Sequence, residues 1–191
     1  MNREADGEVD GEVDVDTDLK RDLDFMRLAI DEARIGRAEG GIPIGAALVV
    51  DGEVVATGRN RRVQMGSAIR HGETDCLENA GRLSAATYRR ATLYTTLSPC
   101  QLCAGAALLY GIPRVVIGEN RTFEASEDHL RANGVELTVL DLQECVTLMS
   151  EFIDEFPTLW NEDIGVEDIG VEDAAEGTKN EPTSHMSRPV T

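Results

Sequence analysis

Two short stretches, His71-Gly72-Glu73 and Ser98-Pro99-Cys100-Gln101-Leu102-Cys103, decide the fold and the chemistry of this chain. They supply one imidazole, two thiols, and a carboxylate two positions after the imidazole. Thiolate sulfur and imidazole nitrogen are preferred zinc ligands, and a catalytic site with three protein ligands keeps its fourth tetrahedral position for water. The pattern therefore predicts a catalytic zinc site held by His71, Cys100 and Cys103. We expect Glu73 to lie beside the metal, because a fourth protein ligand would make the site structural.

The residues around the two cysteines predict a strand that leads into a helix. The run 91–97 is rich in β-branched and aromatic residues, which are enriched in strands. Ser98 is a favourable N-cap and Pro99 suits the first turn, so we expect a helix over 99–110. Both thiols would then lie on one face of the first turn, where free N–H groups and the helix dipole favour thiolates.

The segment that begins at His71 predicts a second helix start, because apolar residues follow at helical spacing over 73–83. A lone C-x-x-C motif is more often a redox pair or half of a structural zinc site, and a lone histidine is more often a surface or core residue. The combination of H-x-E with P-C-x-x-C, each after an extended segment and at a helix start, favours the catalytic interpretation. This pairing is typical of zinc-dependent base deaminases.

Length and composition indicate a single domain without secretion or membrane segments. The 191 residues suffice for one substantial core. The N-terminus leads into an acidic run, and the longest apolar runs reach about half of the roughly 20 residues that span a membrane. Cys76 and Cys145 lie in helical patterns and are expected to be buried apolar side chains. We therefore expect a reducing, cytoplasmic setting.

The net charge of −18 is concentrated at the two ends of the chain. Residues 1–18 carry a net charge of −7 and residues 162–191 one of −6, which leaves −5 for the middle. An acid-rich composition with 2 lysines against 16 arginines suits a protein kept soluble at high salt. Two solvated acidic tails on an ordinary protein are an equally good interpretation. Under either interpretation the negative surface argues against nucleic acid as a partner.

The hydrophobic pattern along the chain predicts an α/β fold. Asp51-Gly52 is a hairpin signal between the first two strands, and a helix between the last two strands makes that pair parallel. We expect a three-layer α/β/α sandwich around a five-stranded mixed sheet. The predicted strands are 44–50, 53–57, 91–97, 114–118 and 135–140, and the predicted helices are 19–39, 73–83, 99–110, 126–133 and 142–156.

The remaining segments are predicted to be loops or tails. Residues 58–69 are predicted to form a long polar loop, and the stretch after residue 157 shows no further helical pattern. Residues 1–20 and 166–191 are acidic or polar with few large apolar residues, which predicts disorder on either side of a domain over 21–165.

Beyond these motifs, the sequence resembles the fungal-type cytosine deaminases of the cytidine deaminase-like superfamily. The resemblance extends over about residues 23 to 165, and Gly72, where most zinc deaminases carry alanine, favours this subfamily. The stretches that carry it are Glu39-Gly40-Gly41-Ile42-Pro43-Ile44-Gly45, His71-Gly72-Glu73, Leu93-Tyr94-Thr95-Thr96-Leu97-Ser98-Pro99-Cys100, Tyr110-Gly111-Ile112-Pro113-Arg114, Gly118-Glu119-Asn120, Phe152-Ile153-Asp154-Glu155 and 160–165.

The resemblance implies a homodimer with one zinc per subunit that hydrolyses the free base cytosine to uracil and ammonia in pyrimidine salvage. It implies His71, Cys100 and Cys103 as zinc ligands, and Glu73 as the proton shuttle while hydroxide attacks C4. The residues it implies for base binding are Asn60, Gly72, Phe123, Trp160, Asp163 and Ile164. An amide such as Asn60 can accept from the base N1–H while it donates to O2, and Asp163 can accept a hydrogen bond from the amino group.

Alternatives remain at several of these positions. The substrate could be guanine, a pyrimidine nucleoside or adenosine in tRNA. Binding of a tRNA favours a basic protein surface, which this acidic chain lacks. A zinc-stabilised module without activity is the alternative from another class, but it has no use for an uncoordinated Glu73. Asn60 could merely cap a loop, and Trp160 and Asp163 could be a helix cap and a solvated acid. The Glu-Asp-Ile-Gly sequence occurs twice, and we assign the first copy because Trp160 accompanies it.

Overall fold

The computed structural model describes residues 15–166, which form both strands and helices. The strands are β1 (Gly45–Val50), β2 (Glu53–Arg59), β3 (Ala91–Leu97), β4 (Arg114–Glu119) and β5 (Glu136–Val139). The helices are α1 (Val15–Ala38), α2 (Arg62–Met65), α3 (Gly72–Ala80), α4 (Ala85–Tyr88), α5 (Gln101–Tyr110), α6 (Glu127–Ala132), α7 (Gln143–Glu155) and α8 (Pro157–Ile164). No helix in this part of the chain is long and apolar enough to cross a membrane.

The strands form one mixed sheet in the order β2-β1-β3-β4-β5. β1 pairs antiparallel with β2 and β3, whereas β3, β4 and β5 run parallel. Asp51 and Gly52 join β1 to β2 with positive φ angles of 52° and 83°, as a type I′ hairpin turn requires. The predicted mixed sheet, hairpin and parallel last pair are therefore confirmed.

Helices cover both faces of the sheet because alternate residues of the central strands are buried on opposite sides. Leu48 belongs to the core beneath α3, α5 and α6, and the neighbouring Val49 belongs to the core beneath α1 and α7. Cys76 is buried in the first core and Cys145 in the second. The predicted α/β/α sandwich is confirmed.

A buried ion pair fixes α1 to the sheet. The Arg114 guanidinium donates to both oxygens of Asp22, at 2.9 and 2.7 Å, and the Tyr94 hydroxyl donates to the same carboxylate at 2.9 Å. Burial raises the pKa of Asp22, but the hydrogen bonds from Arg114 and Tyr94 outweigh it, so the pKa lies below its usual value.

Several predicted boundaries are wrong. α1 begins at Val15 rather than at residue 19, so residues 15–20 are helical although they were predicted to be disordered. β2 continues to Arg59, and α2 occupies part of the predicted loop 58–69. α8 forms where no helix was predicted, because Pro157 suits its first turn and its Trp160 packs on the core. Residues 1–14 and 167–191 lie outside the described residues, so the limits of the domain stay a prediction.

Candidate active site

Three residues of the described chain form a group that can hold a metal ion. The ligand atoms of His71, Cys100 and Cys103 all lie within 4.8 Å of one another. The Cys100 Sγ and His71 Nδ1 atoms are 3.4 Å apart. Ligands bound to zinc at about 2.0–2.3 Å in tetrahedral geometry are roughly 3.5–3.8 Å apart, so the donor set and its spacing fit zinc.

Two helix starts bring these ligands together. His71 precedes α3 and Cys100 precedes α5, and each adopts the extended conformation of an N-cap residue, with ψ angles of 169° and 174°. Cys103 is the third residue of α5. Each ligand therefore has a backbone position fixed by a helix end, where free N–H groups favour anionic ligands.

The predicted cap of the cysteine helix is wrong. α5 begins at Gln101 rather than at residue 99, and Cys100 instead of Ser98 is its N-cap. The Ser98 hydroxyl donates to the buried Glu127 carboxylate at 3.0 Å, and its N–H donates to the Glu119 carbonyl. Ser98 is therefore held between β4 and α6 rather than at the helix start.

The thiols of Cys100 and Cys103 interact strongly with each other. A hydrogen bond from Cys103, together with the interaction with His71, lowers the pKa of Cys100 to about 4. The hydrogen bond to Cys100, together with burial, raises the pKa of Cys103. One thiolate is thus already favoured at neutral pH, which suits a site that binds a cation.

Glu73 is the second residue of α3, and its side chain is buried beside the ligands. Among residues 15–166 it is not part of the three-ligand group. Burial raises the pKa of Glu73, and the negative charge on Cys100 raises it further. A carboxyl group with a raised pKa can both take and give a proton near neutral pH.

A small pocket with a cavity volume of about 20 Å³ opens next to the ligands His71 and Cys100. Glu73 shares this pocket with apolar side chains, and it is smaller than the usual range of ligand sites. Its walls include the predicted residues Glu73, Phe123, Trp160, Asp163 and Ile164. The complete lining is Ile44, His71, Glu73, Leu97, Ser98, Cys100, Phe123, Trp160, Asp163 and Ile164.

Asn60 reaches the pocket through Asp163. Its side chain is fully buried, and its Nδ2 lies 3.3 Å from both carboxylate oxygens of Asp163. Its Oδ1 accepts the N–H of Arg62 at 3.0 Å. These contacts fix which end of the amide donates, and Asn60 lies behind Asp163 rather than among the residues that line the pocket.

Trp160 and Phe123 form the aromatic wall. Their rings meet edge to face with centroids 5.5 Å apart and an interplanar angle of 89°. Trp160 is 6% exposed and packs with Ile42, Ile44 and Phe152. The single tryptophan of the chain therefore joins α8 to the core and presents its ring to the pocket.

Gly72 lies between the histidine and the glutamate at a point of close approach. A Cβ atom at this position would lie 3.1 Å from the Ile44 carbonyl oxygen, which is tighter than almost all real contacts. Gly72 thus lets α3 start directly against the residue before β1.

Sequence reasoning missed two charged residues around the site. Asp75 is fully buried in α3. Its carboxylate accepts a hydrogen bond from the backbone N–H of Arg59 at 3.2 Å and another from the Arg70 guanidinium at 2.7 Å. It therefore anchors both ends of the segment that carries Asn60. The Arg62 guanidinium donates to Asp163 at 2.6 Å. No sequence signal marks either residue, since arginines are common in this chain and the Arg62 pair joins positions 101 apart.

Comparison with known proteins agrees with this geometry. Residues 19–119 match the model of the cytidine and deoxycytidylate deaminase zinc-binding region. The chain is 53% identical to a cytosine deaminase of Candida albicans over 141 residues, which cover 73% of this chain and 94% of that protein. It is 41% identical to a tRNA-specific adenosine deaminase of Bacillus subtilis over 96 residues, which cover 49% of this chain and 59% of that protein.

Solved structures show the same fold. One, from a study of A-to-I editing by tRNA:A34 deaminases, is 29% identical with a TM-score of 0.57, and the match covers 66% of this chain and 99% of that chain. A guanine deaminase from Nitrosomonas europaea is 22% identical with a TM-score of 0.52, and the match covers 67% of this chain and 82% of that chain.

Proposed function

Because this chain belongs to the cytidine and deoxycytidylate deaminase zinc-binding family, we propose that it hydrolyses free cytosine to uracil and ammonia. The observation that carries the proposal is the buried Glu73, which shares a small pocket with the zinc-ligand side chains His71 and Cys100 without belonging to the three-ligand group. A structural zinc site would need a fourth ligand in place of this carboxylate.

His71, Cys100 and Cys103 would hold one zinc ion per subunit. When bound, zinc supplies Lewis acidity that lowers the pKa of water to about 7, which makes hydroxide available at neutral pH. Glu73 would take one proton from the attacking water and deliver it to N3 while the hydroxide oxygen bonds to C4. It would then take the remaining proton of the hydroxyl group on C4 and deliver it to the amino group, so that the C4–N bond breaks, ammonia leaves and the C4 carbonyl of uracil forms.

Residues in and behind the pocket wall orient the base. We assign the amide of Asn60 to the pyrimidine edge, with its N–H donating to O2 and its oxygen accepting from N1–H. Asp163 accepts a hydrogen bond from the amino group, and Trp160 and Phe123 enclose the planar ring. Ile164 supplies an apolar contact in the pocket wall, and Gly72 permits the close approach of α3 to Ile44.

The size of the pocket favours a single base over larger substrates. The cavity of about 20 Å³ leaves no space for a ribose beside a base, and a polynucleotide would meet a chain with a net charge of −18. We therefore place cytosine above guanine, cytidine and tRNA adenosine, which remain the alternatives.

An apolar surface beside the site supports a homodimer. Ile69, Leu102, Leu109 and Tyr110 are exposed, and Leu109 reaches 79% exposure. A groove between α3 and α5 includes Ile69, Leu109 and Tyr110. An apolar surface of this kind marks an interaction site, and we propose a second copy of this chain as its partner.

Two cysteine ligands require reduced thiols, which supports a cytoplasmic setting for the protein, and we assign its reaction to pyrimidine salvage.

A substrate panel tests the proposal. The zinc-loaded protein is incubated with cytosine, cytidine, guanine and adenine, and ammonia release is followed for each. We expect cytosine to give the highest kcat/KM. A higher kcat/KM for any of the other three, or no ammonia from cytosine, would refute the assignment.

A further inference from the structure

Arg62 joins the loop that carries Asn60 to the end of α8. Its guanidinium donates to Asp163 Oδ1 at 2.6 Å and to the carbonyl oxygen of Glu162 at 3.3 Å. The Arg62 side chain is 24% exposed, whereas that of Asp163 is 3% exposed. The second contact places a cation on one of the last carbonyls of α8, where the helix dipole favours positive charge.

The same residue also fixes Asn60. The backbone N–H of Arg62 donates to Asn60 Oδ1 at 3.0 Å, and Asn60 Nδ2 lies 3.3 Å from each oxygen of Asp163. Arg62, Asn60 and Asp163 thus form a closed set of contacts between two segments that are about a hundred positions apart in the chain. A shift of any one residue changes the position of the other two.

The burial of Asp163 makes this contact necessary. A carboxylate with 3% exposure loses most of its hydration and needs charged or polar partners inside the protein. The Arg62 guanidinium donates to Asp163 Oδ1 at 2.6 Å. Within residues 15–166, Asp163 Oδ2 has only the longer contact with Asn60, at 3.3 Å. Asp163 Oδ2 is therefore the oxygen that is free to accept a hydrogen bond from a ligand in the pocket.

We propose that Arg62 is a positioning residue for base recognition, which aligns Asp163 and Asn60 and acts through them rather than on the reacting atoms. This inference rests on the proposed deamination of cytosine. The Arg62 Nη1 atom donates both to Asp163 Oδ1 and to the helix-end carbonyl of Glu162, and the planar guanidinium that carries it is more restricted in orientation than an ammonium group.

A double-mutant cycle tests this role. Cytosine turnover is measured for Arg62→Gln, Asp163→Asn and the double variant, with zinc content and thermal unfolding measured for each. Arg62→Gln should lower kcat/KM by about 10–100-fold, mainly through a higher KM, because one charged hydrogen bond to the base-binding carboxylate is lost. In the Asp163→Asn background the same change should alter kcat/KM by less than about threefold, because its target is already gone.

Two further variants separate positioning from loss of structure. Arg62→Lys keeps the positive charge and should recover part of the affinity for cytosine. Arg90→Gln, which removes an arginine paired with Asp51 at the hairpin, should leave KM unchanged. The inference is overturned if wild type turns over cytosine but Arg62→Gln has the wild-type KM. It is also overturned if the Arg62→Gln effect persists in full beside Asp163→Asn. A wild-type protein without cytosine turnover would instead refute the proposed function.

Discussion

A chain that ends after Thr158 removes most of α8 and tests whether this helix closes the pocket over the base. The truncation deletes Trp160 and Asp163, which line the pocket, but none of the three zinc ligands. We expect zinc to remain bound and cytosine turnover to be lost. A chain that ends after Glu172 keeps all of α8 and serves as the matched control, with nearly full turnover expected.

The magnitude follows from the two contacts removed. A hydrogen bond to a charged group is worth about 1.5–3 kcal/mol, and stacking of a base on an aromatic ring about 1–3 kcal/mol. Together they correspond to about 10²–10⁴-fold in kcat/KM. The shorter chain also loses the buried indole of Trp160, which costs roughly 3–5 kcal/mol of folding free energy.

The assay combines ammonia release, elemental analysis and circular dichroism at a temperature at which both chains are folded. Trp160 is the only tryptophan, so its fluorescence reports α8 directly in the longer chain. If the shorter chain still has more than about a tenth of the kcat/KM of the longer one, the reasoning about α8 is wrong. The assignment of Asp163 to the base would then be withdrawn.

Three other predictions concern the ligands and the charged residues that hold the fold. Cys103→Ser should lose zinc, because only two strong ligands remain, and elemental analysis that finds one zinc per subunit would contradict the ligand set. Asp75→Asn should lower the free energy of unfolding by about 3 kcal/mol in urea titrations, because a buried carboxylate that binds Arg70 is lost. Asp22 has a lowered pKa, so its contribution to stability is complete above the unfolded pKa of about 4 and is lost as the pH falls further. The stability difference between wild type and Asp22→Asn should therefore shrink below pH 4, and a difference that stays constant would exclude this linkage.

Patterns that are local in sequence predicted the sheet and the ligands. The β-branched runs, the Asp51-Gly52 turn and the two helix starts after His71 and before Cys103 act over a few residues, so the sequence alone reveals them. α8 was missed because its helical pattern is weak and its stability comes from the packing of Trp160.

The contacts around the base could not be predicted from spacing. The ion pair between Arg62 and Asp163 forms where α8 lies against the start of α2, and no periodicity in the sequence predicts this contact. Ser98, predicted as the N-cap, instead donates to Glu127, which lies 29 residues further along the chain. In both cases tertiary hydrogen bonds override a reasonable local preference.

The most direct test of the account is the activity of Glu73→Gln with its zinc content measured on the same sample. Gln has nearly the same shape but cannot carry the proton, and Glu73 is outside the ligand group of the described residues. We predict one zinc per subunit and a loss of cytosine turnover of about 10²–10⁴-fold or more. Turnover above about a tenth of wild type, or loss of the zinc, would contradict the assignment of Glu73 as an unligated proton carrier.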